Sequence, residues 1–81
     1  QNYPNPFNPT TTIEYGLPQS SRVTLTVFDL LGRQAVVLEN GVQPAGVHRV
    51  EFDASHLASG IYYYRIKAGD FEQVRKLLFL R

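Results

Sequence analysis

The chain has 81 residues, 8 Lys and Arg against 7 Asp and Glu, and a net charge of +1. That is one domain, close to the size at which a lone hydrophobic core becomes marginal. A hydrophobic fraction of 43% excludes wholesale disorder. The longest apolar run, Leu77-Leu78-Phe79-Leu80, excludes a membrane-spanning helix, and no basic region followed by an apolar stretch marks a signal peptide. With no Cys, disulfides, thiolate metal sites and a cysteine nucleophile are excluded together, and the absence of Met, position 1 included, points to a segment of a longer polypeptide.

In chain order, the lead-in Gln1–Pro9 carries Pro4, Pro6 and Pro9 among Asn2, Asn5 and Asn8. Proline fixes φ and pushes the preceding residue to extended geometry, so the segment is not helical. Tyr3 and Phe7 are expected to pin it to the core. We therefore divide the chain into an extended lead-in over residues 1–10 and one domain over 11–81.

From Thr11 the hydrophobic period is two. Ile13, Tyr15 and Leu17 alternate with Thr12, Glu14 and Gly16, the pattern of a half-buried strand that Pro18 ends. After the polar turn Gln19-Ser20-Ser21, a second strand alternates Val23, Leu25 and Val27 with Thr24, Thr26 and Phe28. Asp29-Leu30-Leu31-Gly32 has Asp first and Gly fourth, the type I turn signature. A short Val-rich strand is expected over Gln34–Leu38. Asn40-Gly41 is the strongest local turn signal and Pro44-Ala45-Gly46 a second break, so Glu39–Gly46 reads as a loop. Val47–Phe52 resumes as a strand with Val50 and Phe52 inward.

Asp53–Gly60 reads as a tight crossover anchored by Leu57. Gly60–Lys67 is the most β-prone stretch; Arg65 and Lys67 set the outward parity, so Tyr62, Tyr64 and Ile66 face the core. Ala68-Gly69-Asp70 turns the chain into a last strand, Phe71–Leu80. There the parity slips, which requires either a bulge near Lys76 or burial of both faces. The sum is an all-β, small immunoglobulin-like antiparallel sandwich of about seven strands with no helix.

Residues 1–59 carry Arg22, Arg33 and Arg49 against Glu14, Asp29, Glu39, Glu51 and Asp53, a net of −2; Arg65, Lys67, Arg75, Lys76 and Arg81 against Asp70 and Glu72 give residues 60–81 a net of +3. Outward Lys and Arg on half-exposed hairpins account for this, and no nucleic-acid partner is expected. His48 falls on an inward parity and His56 in a polar turn, and neither lies in a catalytic or metal-binding motif. The reading is no enzyme, no metal and no cofactor. Tyr62, Tyr63 and Tyr64 with Phe28 raise the question of a sugar-stacking face, but alternate parity splits the three tyrosines and Trp is absent.

Three blocks then stand in order: Asn2-Tyr3-Pro4-Asn5-Pro6-Phe7-Asn8-Pro9; Val23-x-Leu25-x-Val27-x-Asp29-x-x-Gly32-Arg33; and Leu57-Ala58-Ser59-Gly60-Ile61-Tyr62 through Gly69 to Lys76-Leu77-Leu78. Together they resemble the type A C-terminal sorting domain of the bacterial type IX secretion system, over essentially the whole chain. The resemblance implies a non-catalytic delivery handle at the end of a secreted cargo protein. The cargo would cross the periplasm and pass the outer membrane to the cell surface or medium. The implied partners are the secretion machinery, including an outer-membrane shuttle and a sortase-like peptidase that usually removes the domain, sometimes attaching the cargo to surface lipopolysaccharide. By the same resemblance, partner recognition maps onto Gly60, Ile61, Tyr62, Gly69, Lys76, Leu77, Leu78, Phe79, Leu80 and Arg81. Backbone permissiveness accounts for Gly60 and Gly69, and core packing is the competing account of Leu78 and Leu80. Two other readings compete: the immunoglobulin-like scaffold domain of flagellar hook-capping proteins, which shares the Asn-Pro-Phe-Asn-Pro lead-in and the Gly-Ile-Tyr strand, and a carbohydrate-binding accessory module.

Overall fold

A computed structural model describes residues 10–79. The expected docking of Tyr3 and Phe7, and the placement of Leu80 and Arg81, lie outside the described residues. Six strands follow one another: β1 Thr10–Leu17, β2 Ser21–Asp29, β3 Gln34–Gln43, β4 Gly46–Asp53, β5 Gly60–Ala68 and β6 Phe71–Phe79. They form an antiparallel four-stranded sheet in the order β3-β2-β5-β6 and a two-stranded sheet, β1-β4, that packs on one of its faces. The expected all-β sandwich is therefore what the chain forms, and the described residues contain no helix.

Period-two patterning explains the layers. Ile13, Tyr15 and Leu17 from β1, Val23, Leu25 and Val27 from β2, and Tyr62, Tyr64 and Ile66 from β5 all point into the space between the sheets and are buried. Phe52 of β4 crosses that space to meet Phe79 of β6 edge-on, with ring centroids 5.7 Å apart, and Tyr62 lies 5.7 Å from Phe79 on the other side. Edge-to-face aromatic pairs of this kind add about 0.5–1.5 kcal/mol beyond the area they bury. Leu57 packs as the inward anchor of the crossover, its N–H donating to the Ala54 carbonyl at 2.9 Å. Tyr62, although buried, satisfies its hydroxyl by donating to the Ala58 carbonyl at 2.8 Å.

Two expectations are corrected. Asn40-Gly41 makes no turn. Both residues lie inside β3, with Asn40 opposite Thr24 and Gly41 opposite Val23. A two-residue type I′ turn needs φ > 0 at both positions, and neither residue has it. The nine-residue β2 offers ladder partners as far as Gln43, and Arg22 donates to the Asn40 side-chain carbonyl at 2.8 Å. Tertiary pairing outweighs the local turn preference. The irregularity appears instead as two register shifts, opposite Leu25/Thr26 and Val27/Phe28. The first leaves Leu38 as the extra residue and lets it pack on the core.

The second correction concerns β6. It pairs with β5 without a register shift, so neither a bulge near Lys76 nor two buried faces occurs. Leu77 sits opposite the inward Tyr62 and is 0% exposed; Leu78 sits opposite the outward Ile61 and is 44% exposed. Core packing therefore does not account for Leu78.

Candidate partner-recognition face

Of the ten residues singled out for recognition, the eight described separate into three groups. Tyr62, Leu77 and Phe79 point inward and build the core. Gly69 opens the two-residue β5–β6 hairpin at φ 59°, the positive value that a type II′ turn requires at its first central position, and Gly60 enters β5 at φ 150°. No neighbouring atom crowds either glycine, so their role is in the backbone. Ile61, Lys76 and Leu78 remain, and these point outward together. Leu80 and Arg81 lie outside the described residues.

Cross-strand register extends that outward group. Tyr63 stands between Phe28 on β2 and Lys76 on β6; one row along, Arg65 stands between Thr26 and Val74. The Arg65 guanidinium lies over the Phe28 ring, 5.0 Å from its centroid, and its Nε approaches Glu72 at 3.7 Å. Thr26 also faces outward yet is only 3% exposed, so the side chains around it form a packed layer. The open face of the four-stranded sheet is thus an aromatic and aliphatic surface edged by cations. Sequence reasoning missed Phe28, Tyr63, Arg65 and Val74 as parts of it. The outward parity of Phe28, Tyr63 and Arg65 was readable and that of Val74 was not; which strands lie side by side could not be read at all.

The two edges of this sheet differ. On β3 the ladder is interrupted by two register shifts, the kind of irregularity that blunts an edge against further pairing. β6 is a regular nine-residue strand.

At the end of the sandwich, Asp29 builds the Leu30-Leu31 turn. One carboxylate oxygen accepts from the Leu31 and Arg33 backbone N–H groups at 2.9 Å each, the other accepts from Arg33 Nε at 2.8 Å, and the Gly32 N–H donates to the Asp29 carbonyl at 3.0 Å. This closes the expected type I turn and explains why Gly follows at φ 82°. The Arg33 N–H, helped by its guanidinium, holds the Asp29 carboxyl below the usual carboxylate value. The Ser55 N–H and hydroxyl do the same for Asp53.

His48 stacks on Tyr15 with ring centroids 5.3 Å apart, and its Nε2 lies 2.8 Å from the Pro44 carbonyl oxygen. His56 lies exposed in the crossover. Among the described residues no cluster of three or more His, Asp or Glu side chains is placed to hold a metal ion. A groove of about 340 Å³ between the β1–β2 turn and the β5–β6 hairpin is largely apolar, lined by Leu17, Pro18, Ala68 and Phe71, with Asp70 at its rim.

Comparison with known proteins bears on this arrangement. The family model described as a secretion system C-terminal sorting domain matches residues 1–79. No curated protein and no solved structure matches the chain. Neither the hook-capping scaffold nor the carbohydrate-binding reading gains support from these results.

Proposed function

The chain belongs to the secretion system C-terminal sorting domains, the type IX signals whose cargo is exported to the cell surface or the extracellular space, and from that premise we propose how it carries the signal. The domain is a non-catalytic handle. It folds in the periplasm behind an N-terminal cargo, is bound by an outer-membrane shuttle of the type IX machinery, and is removed by a sortase-like peptidase once outside. Residues 1–10 serve as the lead-in from the cargo and residues 11–81 as the folded handle.

Recognition runs along β6 and its neighbour. Ile61, Lys76 and Leu78 touch the machinery directly, and Leu80 and Arg81 add to the same recognition set. Gly60, Tyr62, Gly69, Leu77 and Phe79 act by holding that strand in register. The single observation that carries this reading is the regular β6 edge. Among the described residues β6 has a strand on one side only, and an edge strand accepts a partner strand, its alternate side chains supplying specificity. The interrupted β3 edge offers no comparable template.

The test is a fusion of residues 1–81 to the C-terminus of a fluorescent protein bearing a periplasmic signal peptide. Expressed in a type IX-competent bacterium, the fusion should reach the surface or medium; in an isogenic strain lacking the translocon it should stay periplasmic. Equal periplasmic retention of a folded fusion in both strains would overturn the reading.

A further inference from the structure

We propose that the open face of the four-stranded sheet is itself a docking surface, and that its occupant is an acidic, apolar-centred protein surface of the export machinery. This deepens the sorting reading and rests on it. It moves recognition from one strand to a face spanning β2, β5 and β6.

The two outer faces of the sandwich carry opposite charge. By register, the outward residues of the four-stranded sheet include four cations, Arg22, Arg65, Lys67 and Lys76, against one acid, Glu72, a net of +3. The outward residues of the β1-β4 sheet include Glu14, Glu51 and Asp53 against Arg49, a net of −2. Glu14 is already paired with Arg49 at 2.7 Å, and Glu72 with Arg65. The whole-chain charge of +1 conceals this polarity. An acidic receptor surface would draw the domain in by the open face and repel the opposite one.

Apolar groups fill the space between those cations. Ile61 pairs with Leu78, Phe28 with Tyr63, and Val74 stands beside Arg65, all on the same side of the sheet. Val74 and Leu78 are among the larger exposed apolar side chains of the fold. The Arg65–Phe28 stack and the Arg65–Glu72 contact fix the central side chains before any partner arrives, which lowers the ordering cost of binding. With cations set among its apolar side chains, the surface matches another folded protein better than a bilayer, into which an apolar face must sink. Three strands about 4.8 Å apart and about 30 Å long give a footprint in the range of weak, transient interfaces. A small contact with charged edges suits a handle that must be engaged and then released.

The experiment uses the same fluorescent fusion of residues 1–81. Lys67→Glu with Lys76→Glu reverses two cations of the open face, and Glu51→Lys alters the opposite face; thermal unfolding of each purified fusion is recorded beside its export. We expect the double variant to unfold at the parent temperature while its export falls about tenfold or more, with Glu51→Lys within about twofold of the parent. Export of the folded double variant at the parent rate would overturn the proposal. Should the double variant unfold early, Val74→Asp at an exposed position puts the same question, with the same expected loss and the same overturning result. The purified parent is also incubated with phosphatidylcholine vesicles containing phosphatidylglycerol. Binding there that the double variant loses would assign the face to an anionic lipid surface and overturn a protein partner. Failure of the unsubstituted fusion to be exported strikes the sorting reading itself, and this proposal falls with it.

Discussion

Asp29 shows how a motif that looks like a functional signature performs a structural task. Its carboxylate accepts two backbone N–H groups and the Arg33 side chain, so ionisation is favoured by the fold and the carboxyl is held below its ordinary value of 3.8. Asp53 is held down in the same way by Ser55. A carboxyl with a depressed folded-state pKa contributes stability above its unfolded value and loses it as pH falls through the folded one. Unfolding temperature should therefore be flat from neutrality to about pH 5 and fall as the solution is acidified below about pH 4. Asp29→Ala with Asp53→Ala should lower the neutral unfolding temperature and flatten that acid decline. Calorimetry across pH 3 to 7 checks both effects; an acid decline as steep in the double variant would place its origin elsewhere.

At the scale of the element, the strands around Ile13, Val23 and Tyr64 were legible because a period-two pattern with one buried face sets both the strand and its parity. The turn at Asp29 and the hairpin at Gly69 were legible for a similar reason, since their chemistry is local. β3 was not. The Asn40-Gly41 pair satisfies the local criteria for a turn, and only the length of β2 across the sheet decides that the chain continues extended. β6 was legible as a strand but not in parity, because Val74 and Leu78 are apolar yet face outward. An apolar residue on the outer face reads as core until its cross-strand partner is known. The candidate site was accordingly half visible. Lys76 and Leu78 stood in the sequence, whereas their junction with Phe28, Tyr63 and Arg65 exists only through the strand order.

The same contrast gives a test with glycines. Gly41 lies in a strand without positive φ and Gly69 sits at φ 59°, and neither is crowded. Gly41→Ala should be neutral or stabilising by about 0.5 kcal/mol, and Gly69→Ala should cost about 1 kcal/mol or more in left-handed strain. Urea unfolding of the two variants measures this. A larger loss at Gly41 than at Gly69 would restore the turn that β3 replaces.

For the whole molecule, one four-stranded sheet has a covered face and an open one, and β6 contributes to both. Its inward residues, Leu77 and Phe79, close the core against Tyr62 and Phe52. Its outward residues, Lys76 and Leu78, belong to the cationic, apolar surface proposed above as the docking face. On the proposed reading the signal is complete only when the domain has folded, since folding is what aligns the outward residues of β6 with those of β5 and β2. Removing residues 76–81 as a block would erase core and signal together, so it cannot separate the two roles.

The most direct measurement compares neighbouring residues on that strand. Leu77→Ala removes a buried side chain and should destabilise the domain by about 2–5 kcal/mol; Leu78→Asp changes an exposed one and should leave the unfolding temperature nearly unchanged. Export of the 1–81 fusion, normalised to the fraction folded, should be retained in Leu77→Ala and lost in Leu78→Asp. Normal export of a fully folded Leu78→Asp fusion would contradict the account.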